Sequence, residues 1–352
     1  MRIVLAYSGS LDGSAAIQWL RERHAAEIVT VTLDLGQGRE LEAVRDRALA
    51  IGAQRAHVLD ARDAFAQDFV LPALRADALH DGRLPMALAL SRPLIAQRLV
   101  EIAGIEHADA VAHTGHGAGG SSRLDVLLGA LAPALPVLTP VREWALSAGV
   151  LAAFARAHGL GSGVDDEARD ERNFWGRSVR RHGGDAASNG LAAAPETYPG
   201  EPAFVDVAFS HGVPTALNGV PLPLLELVAS LGTLTAAHGV GRGAAGPLWC
   251  DAAAAVLLHA AHRELTHAAS ADNLRAFSDD ATARYVQLVE DARWFSPLRE
   301  GLDAYFSSVQ SRVNGHVRLR MFRGEHSTIS TELSEPLAHQ ALAPVVPSSA
   351  QH

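Results

Sequence analysis

Through its first 160 residues the chain alternates two hydrophobic rhythms, and that alternation leaves few folds open to it. Short runs rich in apolar and β-branched residues at 3–6, 28–33, 55–59, 110–113 and 136–139 read as strands. Between them, apolar residues recur at helical spacing. Ile17, Trp19 and Leu20 mark one helix, Leu41, Val44, Ala48 and Leu49 a second over 39–51, and further helices are expected over 86–104, 123–131 and 147–158. Strands and helices alternating in this way predict a parallel sheet with helices on both faces, because parallel neighbours need a crossover between them. Ligands in such sheets sit beyond the carboxyl ends of the strands. Two glycine-rich loops, 8–14 and 114–120, fall at such ends.

The pattern changes near residue 160. Residues 161–200 are rich in Gly, Asp, Arg and Ala with weak periodicity, so a domain boundary is placed there. Runs 205–209 and 213–217 flank His211 and Gly212 and read as a hairpin. Helices are expected over 223–237, 251–268, 272–291 and 297–312, followed by a late strand at 317–322. The reading is therefore α/β: a parallel-sheet nucleotide-binding domain over 1–160, an α+β domain over 161–324, and a disordered Pro- and Ser-containing tail over 325–352.

Composition narrows the chemistry. All 30 basic residues of the 352 are arginine, which excludes a Walker A lysine, a Schiff-base lysine and lysine-bound pyridoxal phosphate. Cys250 is the single cysteine, so a disulfide framework, a four-cysteine zinc site and a CxxC redox pair are excluded as well. A net charge of −9 argues against a general nucleic-acid surface. No run is long and apolar enough for a membrane span, and the N-terminus enters a strand at once. A cytoplasmic protein is expected, and the Ala-rich, all-Arg composition suggests a high-GC bacterial source.

The loop after the first strand is suited to holding a pyrophosphate without lysine. Gly9 and Gly13 let backbone N–H groups converge, the following helix adds its positive N-terminus, and Ser8, Ser10 and Ser14 offer hydroxyls. A plain strand-to-helix turn with Ser14 as N-cap would have a similar composition. The pattern is more specific than that. Ser-Gly-x-Leu-Asp-x-Ser after an N-terminal strand resembles the pyrophosphate loop of the N-type ATP pyrophosphatases, and within that group the chain is similar to the argininosuccinate synthase family. The similarity rests on collinear segments: AYSGSLDGS at 6–14, VTLDLGQ at 31–37, FVLPAL at 69–74, RPLIA at 92–96, AVAH at 110–113 and PVREW at 140–144. It continues through RNFWGRS at 172–178, HGVGR at 238–242, AHREL at 261–265 and WFSPLRE at 294–300.

The resemblance implies an adenine nucleotide α-hydrolase-like first domain and a synthetase domain. It also implies an ATP-dependent ligase that splits ATP, with magnesium, between the α and β phosphates and passes AMP to a carbonyl-type oxygen. ATP-binding residues would be Ala6, Tyr7, Ser8, Gly9, Ser10, Leu11, Asp12, Gly13 and Ser14, with Leu33, Gly115 and Gly117. Amino-acid-like substrates would meet Thr114, Arg123, Ser178 and Arg180, and neither nucleic acid nor membrane is expected as a partner. The chain also departs from the family pattern. Ser10 and Gly13 replace a glycine and a threonine; His116, Ala118 and Gly119 replace a lysine, an asparagine and an aspartate. Leu84 and Leu88 stand where the family has Tyr and Thr, and Arg180 where it has glutamate. Losing several polar contacts to a buried substrate alters selectivity strongly, so a substrate other than the citrulline and aspartate pair is expected. A catalytically silent relative and a genuine argininosuccinate synthase are the alternatives. The resemblance is taken to stop at residue 324, without the C-terminal extension that interlocks family tetramers, so a monomer or homodimer is expected. His113 and His116 lack a third ligand for a metal, the acidic run 165–171 reads as a solvated loop, and Arg180, Arg181 and His182 could hold an anion or face solvent.

Overall fold

The computed structural model describes residues 1–38, 40–115, 122–144, 147–160, 170–180, 198–245 and 248–334. Its first half runs β1 (Arg2–Ala6), α1 (Leu11–His24), β2 (Glu27–Asp34), α2 (Leu41–Ile51) and β3 (Arg55–Asp60). A helical segment follows as α3 (Arg62–Phe65), a π-helical turn (Ala66–Val70) and α4 (Leu71–Arg75). Next come β4 (Leu79–His80), β5 (Leu84–Pro85), α5 (Ala87–Ile105), β6 (Ala110–Ala112), α6 (Arg123–Leu131), β7 (Val137–Leu138), α7 (Pro140–Glu143) and α8 (Ala148–Ala157). Strands β3-β2-β1-β6-β7 form one sheet, parallel throughout, with Ile3 in register with Ile28 on one side and Ala110 on the other.

Two-residue alternation along β1 sorts the core. Ile3 and Leu5 join Ile17, Leu20, Val44 and Ala48 of α1 and α2 on one face; Val4 joins Leu90 and Leu94 of α5 on the other. Both faces of β1 are covered, and for that reason the strand reads as a continuous apolar run. At the amino ends of the strands, buried Glu106 closes the turn after α5. It pairs with Arg55 at 2.9 Å and His57 at 2.8 Å. Burial alone would raise its carboxyl, and these bonds bring it below the usual carboxylate range.

The second half runs β8 (Asp170–Asn173), β9 (Gly176–Arg180), β10 (Ala203–Ser210), β11 (Val213–Leu217), β12 (Val220–Pro221), α9 (Leu224–Ala236), β13 (Arg242–Ala245) and β14 (Leu248–Asp251). The helices α10 (Ala253–Ala268), α11 (Asp272–Glu290) and α12 (Pro297–Gln310) lead to β15 (Gly315–Phe322) and β16 (Glu325–Leu333). One antiparallel sheet is ordered β12-β11-β10-β15-β16 and another β13-β14-β9-β8.

Three readings need correction. The low-periodicity region contains the β8–β9 hairpin, whose strands are mostly polar. Its turn is tied down by Asn173, which accepts from the N–H groups of Trp175 and Gly176 and donates to the Ala87 carbonyl. Residues 325–333 form β16, an edge strand in antiparallel register with β15, rather than the start of a disordered tail. Most of β16 is exposed, so it carries no apolar alternation to reveal it. Residues 62–75, to which periodicity assigned no element, are helical around buried Phe65, Phe69 and Leu74.

Candidate active site

The chain goes from β1 to β2 and β3 on one side of the sheet and returns to β6 and β7 on the other. The strand order therefore reverses between β1 and β6, and both glycine-rich loops leave the sheet at this switch point. The β1–α1 loop is held rigidly. Tyr7 continues the ladder by donating its N–H to the Val31 carbonyl at 2.9 Å, while the buried Thr32 hydroxyl donates to the Tyr7 carbonyl at 2.8 Å. Gly9 has φ +82°, the left-handed region that favours glycine. A Cβ there would stand 3.2 Å from Val44 of α2, so the loop lies directly on that helix. Ser10, rather than Ser14, caps α1: its hydroxyl accepts from the Gly13 N–H at 3.2 Å, and Asp12 lies in the first turn.

Ser14 was expected to offer its hydroxyl to phosphate. The structure buries it and sets its Oγ 3.0 Å from the Tyr7 hydroxyl. Burial also pushes the Tyr7 phenol above its ordinary value. Ala6 ends β1 and Leu11 begins α1, and Ser8 in the loop between them is exposed. Leu33 lies in β2, which pairs with β1, and in the loop that follows β2 Gln37 donates to the Leu33 carbonyl and accepts from the Leu35 N–H.

One residue near the loop escaped the sequence reading. Arg47 donates from Nη1 to the Gly9 carbonyl at 3.1 Å, and its charge also acts on Tyr7. Val44 and Arg47 lie one turn apart on α2, so the face that presses on Gly9 also delivers a guanidinium. That spacing, in a chain without lysine, was a legible signal.

Beyond β6 the loop is anchored from both ends. Buried His113 accepts the Gly115 N–H at Nδ1 (3.1 Å), which assigns its proton to Nε2, 2.9 Å from Asp125 Oδ1. Asp125 also accepts from the Ser122 N–H at 2.5 Å and from Arg142 at 2.8 and 3.2 Å. Burial would raise this carboxyl, but the bonds from His113, Ser122 and Arg142 hold it well below the usual range. His113 is thus engaged at both ring nitrogens. Thr114 and Gly115 follow it; His116, Gly117, Ala118 and Gly119 lie outside the described residues, as do residues 165–169, Arg181 and His182.

The expected substrate residues come from several elements. Ser178 of β9 is buried and in register with Cys250 of β14. Burial pushes the Cys250 thiol up to about 11, with a hydrogen bond to Ser178 acting against that. Leu84 is buried, its Cδ2 2.9 Å from where a Cβ on Gly243 would stand, and Leu88 is half-buried in the first turn of α5. Arg123, first residue of α6, reaches α11. Arg180 pairs in register with Leu248, and its side chain lies outside the described residues. Among the described residues, no group of three or more His, Cys, Asp or Glu is placed to hold a metal, and no helix is long and apolar enough to cross a membrane.

Residues 2–161 match the family description "Arginosuccinate synthase N-terminal HUP domain", and residues 188–245 and 248–345 match "Arginosuccinate synthase C-terminal domain". The C-terminal match reaches residue 345, so the similarity extends past residue 324, the end expected from the sequence. Among curated relatives named argininosuccinate synthase, the chain is 38% identical to that of Rubrobacter xylanophilus, over 99% of this chain and 90% of the relative. It is 36% identical to that of Oceanobacillus iheyensis, over 96% of this chain and 85% of the relative. With that of Geobacillus kaustophilus it shares 37% identity, over 92% and 84% respectively.

Proposed function

The chain belongs to the argininosuccinate synthase family of ATP-dependent carbon–nitrogen ligases, and from that premise we propose that the β1–α1 loop binds the ATP phosphates and releases pyrophosphate. A carbonyl or ureido oxygen attacks the α-phosphorus, the bond to the β-phosphate oxygen breaks, and pyrophosphate leaves. An amine then attacks the activated carbon; the C–N bond forms, the bond to the AMP oxygen breaks, and a proton is released. The observation that supports this is the loop itself: Gly9 in the left-handed region, Ser10 capping α1, and a switch-point location. Backbone N–H groups and the helix N-terminus would stabilise charge as it develops on the leaving pyrophosphate. Arg47 would hold the Gly9 carbonyl in place, so that the loop is fixed before ATP arrives. Magnesium would enter with the nucleotide and neutralise phosphate charge near Asp12. A cytoplasmic location, where ATP and amino acids are at hand, belongs to this reading.

Two substrate readings are open to one assay. The relatives' shared name favours citrulline and aspartate. Leu84 and Leu88, with Ala118 and Gly119 in the loop after β6, favour a different pair, in which the electrophile has an apolar portion. If each lost hydrogen bond to a charged group costs about 1.5–3 kcal/mol, three such losses lower kcat/KM by about a thousandfold or more. The test is AMP and pyrophosphate release with citrulline plus aspartate, beside a panel of carboxylates, ureido compounds and amines. Turnover within the ordinary enzyme range supports the first pair; turnover confined to other panel members supports the second. Silence with every combination would overturn the ligase reading in favour of a non-catalytic nucleotide binder.

A further inference from the structure

The turn of the β4–β5 hairpin, α4, α10, α11 and α12 surround a cavity of about 540 Å³, the size of a small-molecule site. None of the residues lining it belongs to the β1–α1 loop, to the loop after β6 or to the expected substrate set. Leu79, Val286, Phe306 and Val309 supply apolar wall, and three arginines line it as well. Two of those arginines are matched. Arg263 bonds Asp77 at 2.6 Å, and Arg275 pairs with Asp272 and donates to the carbonyls of His267 and Ser270. Arg75 is different. Among the described residues its guanidinium meets no carboxylate, its one hydrogen bond runs from Nη2 to the His211 carbonyl at 3.3 Å, and its Nε is buried without an acceptor. Burial also pushes this guanidinium down from its ordinary value. Of the carboxylates lining the cavity, Asp77 is engaged by His259 and Arg263, while Asp81 and Asp279 are exposed.

His262 is the second unmet group on this wall, and it is 1% exposed. Gln310 donates from Nε2 to the Arg75 carbonyl at 3.1 Å and turns its Oε1 to His262 Nε2 at 2.9 Å. That oxygen can only accept, so Nε2 carries the imidazole proton and Nδ1 keeps a lone pair, which is buried without a donor. Burial pushes the imidazole down to about 4, so it is neutral near pH 7, and the Arg75 charge acts in the same direction. The wall thus lacks a counter-charge at Arg75 and a hydrogen-bond donor at His262. A buried water would meet both hydrogen bonds and leave the charge unanswered. A cationic donor would be repelled by Arg75, which leaves a neutral hydroxyl as the fitting group. We propose that this cavity binds a small hydroxy acid, with its carboxylate on Arg75, its hydroxyl donating to Nδ1 of His262, and its apolar body against Val286, Phe306 and Val309. Such binding needs neither ATP nor turnover, so it stands apart from the ligase reading.

Calorimetry with two probes, 3-phenyllactate and the smaller 2-hydroxy-4-methylpentanoate, tests this. Each is compared with its amide, which removes the charge, and with the acid lacking the hydroxyl. The wild type is expected to favour the hydroxy acid over the amide by on the order of tenfold or more, and over the plain acid by about fivefold. Both preferences should persist with citrulline, aspartate and a non-hydrolysable ATP analogue present. Arg75→Met is expected to erase the first preference. His262→Gln, which keeps a donor for Gln310 where Nε2 stands and removes Nδ1, is expected to erase the second. Val286→Trp, which fills the cavity, should abolish binding of every probe while affinity for the ATP analogue is unchanged. Should Arg75→Met fail to fold, the amide comparison on the wild type decides the same point. Absence of binding for both hydroxy acids at millimolar concentration, displacement by citrulline or aspartate, binding that survives Val286→Trp, or preferences unaltered in the folded variants would each overturn the proposal.

Discussion

Gly9→Val is expected to weaken ATP binding by at least about a hundredfold while the protein stays folded. Two costs act together. Valine is strained at φ +82°, by about 1–3 kcal/mol, and its Cβ would be placed 3.2 Å from a methyl of Val44. The loop can relieve both only by moving away from α2, which breaks the bond from Arg47 to the Gly9 carbonyl and misdirects the N–H groups proposed to hold phosphate. Gly9→Ala, with less to displace, should fall between wild type and valine. Titration calorimetry with ATP, alongside a thermal melt, checks the effect. Full ATP affinity in Gly9→Val would place the nucleotide elsewhere.

Asp125→Ala is expected to cost about 3–5 kcal/mol of stability and to lower the melting temperature by on the order of 10 °C. The substitution leaves the buried Nε2–H of His113 with only the Ser122 hydroxyl at 3.5 Å, removes the carboxylate that receives the Ser122 N–H, and takes away the carboxylate partner of Arg142. The pH dependence has a definite sign. The folded carboxyl titrates below its ordinary value, so its stabilisation is complete above about pH 4 and is lost as pH falls from there through the folded value. The wild type should therefore lose stability over that acid range more steeply than Asp125→Ala. Melting temperatures of the two proteins between pH 7 and pH 3 provide the test, and parallel curves would contradict it.

The parallel sheet was legible because its central strand is an apolar run buried on both faces and because α2, α6 and α8 are amphipathic; β1 follows from residues 3–6 almost without tertiary information. The β8–β9 hairpin and β16 were not legible, since their stability comes from partners far along the chain. Trp175 and Asn173 are organised by the carbonyl of Ala87, and β16 by register with β15. At the site, the glycine loop could be read locally, because glycine and serine carry backbone meaning wherever they stand. The choice of Ser10 over Ser14 as cap could not, because it depends on the helix starting at Leu11, which places Ser14 inside the first turns, beside the Tyr7 hydroxyl. The contacts from Arg123 to the Glu290 carbonyl and from the Glu290 carboxylate to His80 were also beyond reach. They join residues from α6, α11 and β4 that no spacing rule connects.

Cleavage of ATP between the α and β phosphates at the β1–α1 loop is the proposed reaction of this chain. Phosphorus NMR of the wild type with MgATP, an α-amino acid bearing a carbonyl or ureido group, and an amine tests it most directly, because the products name the bond that breaks. AMP and pyrophosphate in equal amounts are expected from the wild type, and unchanged ATP from Gly9→Val. ADP with inorganic phosphate, or AMP and pyrophosphate formed equally well by Gly9→Val, would contradict it.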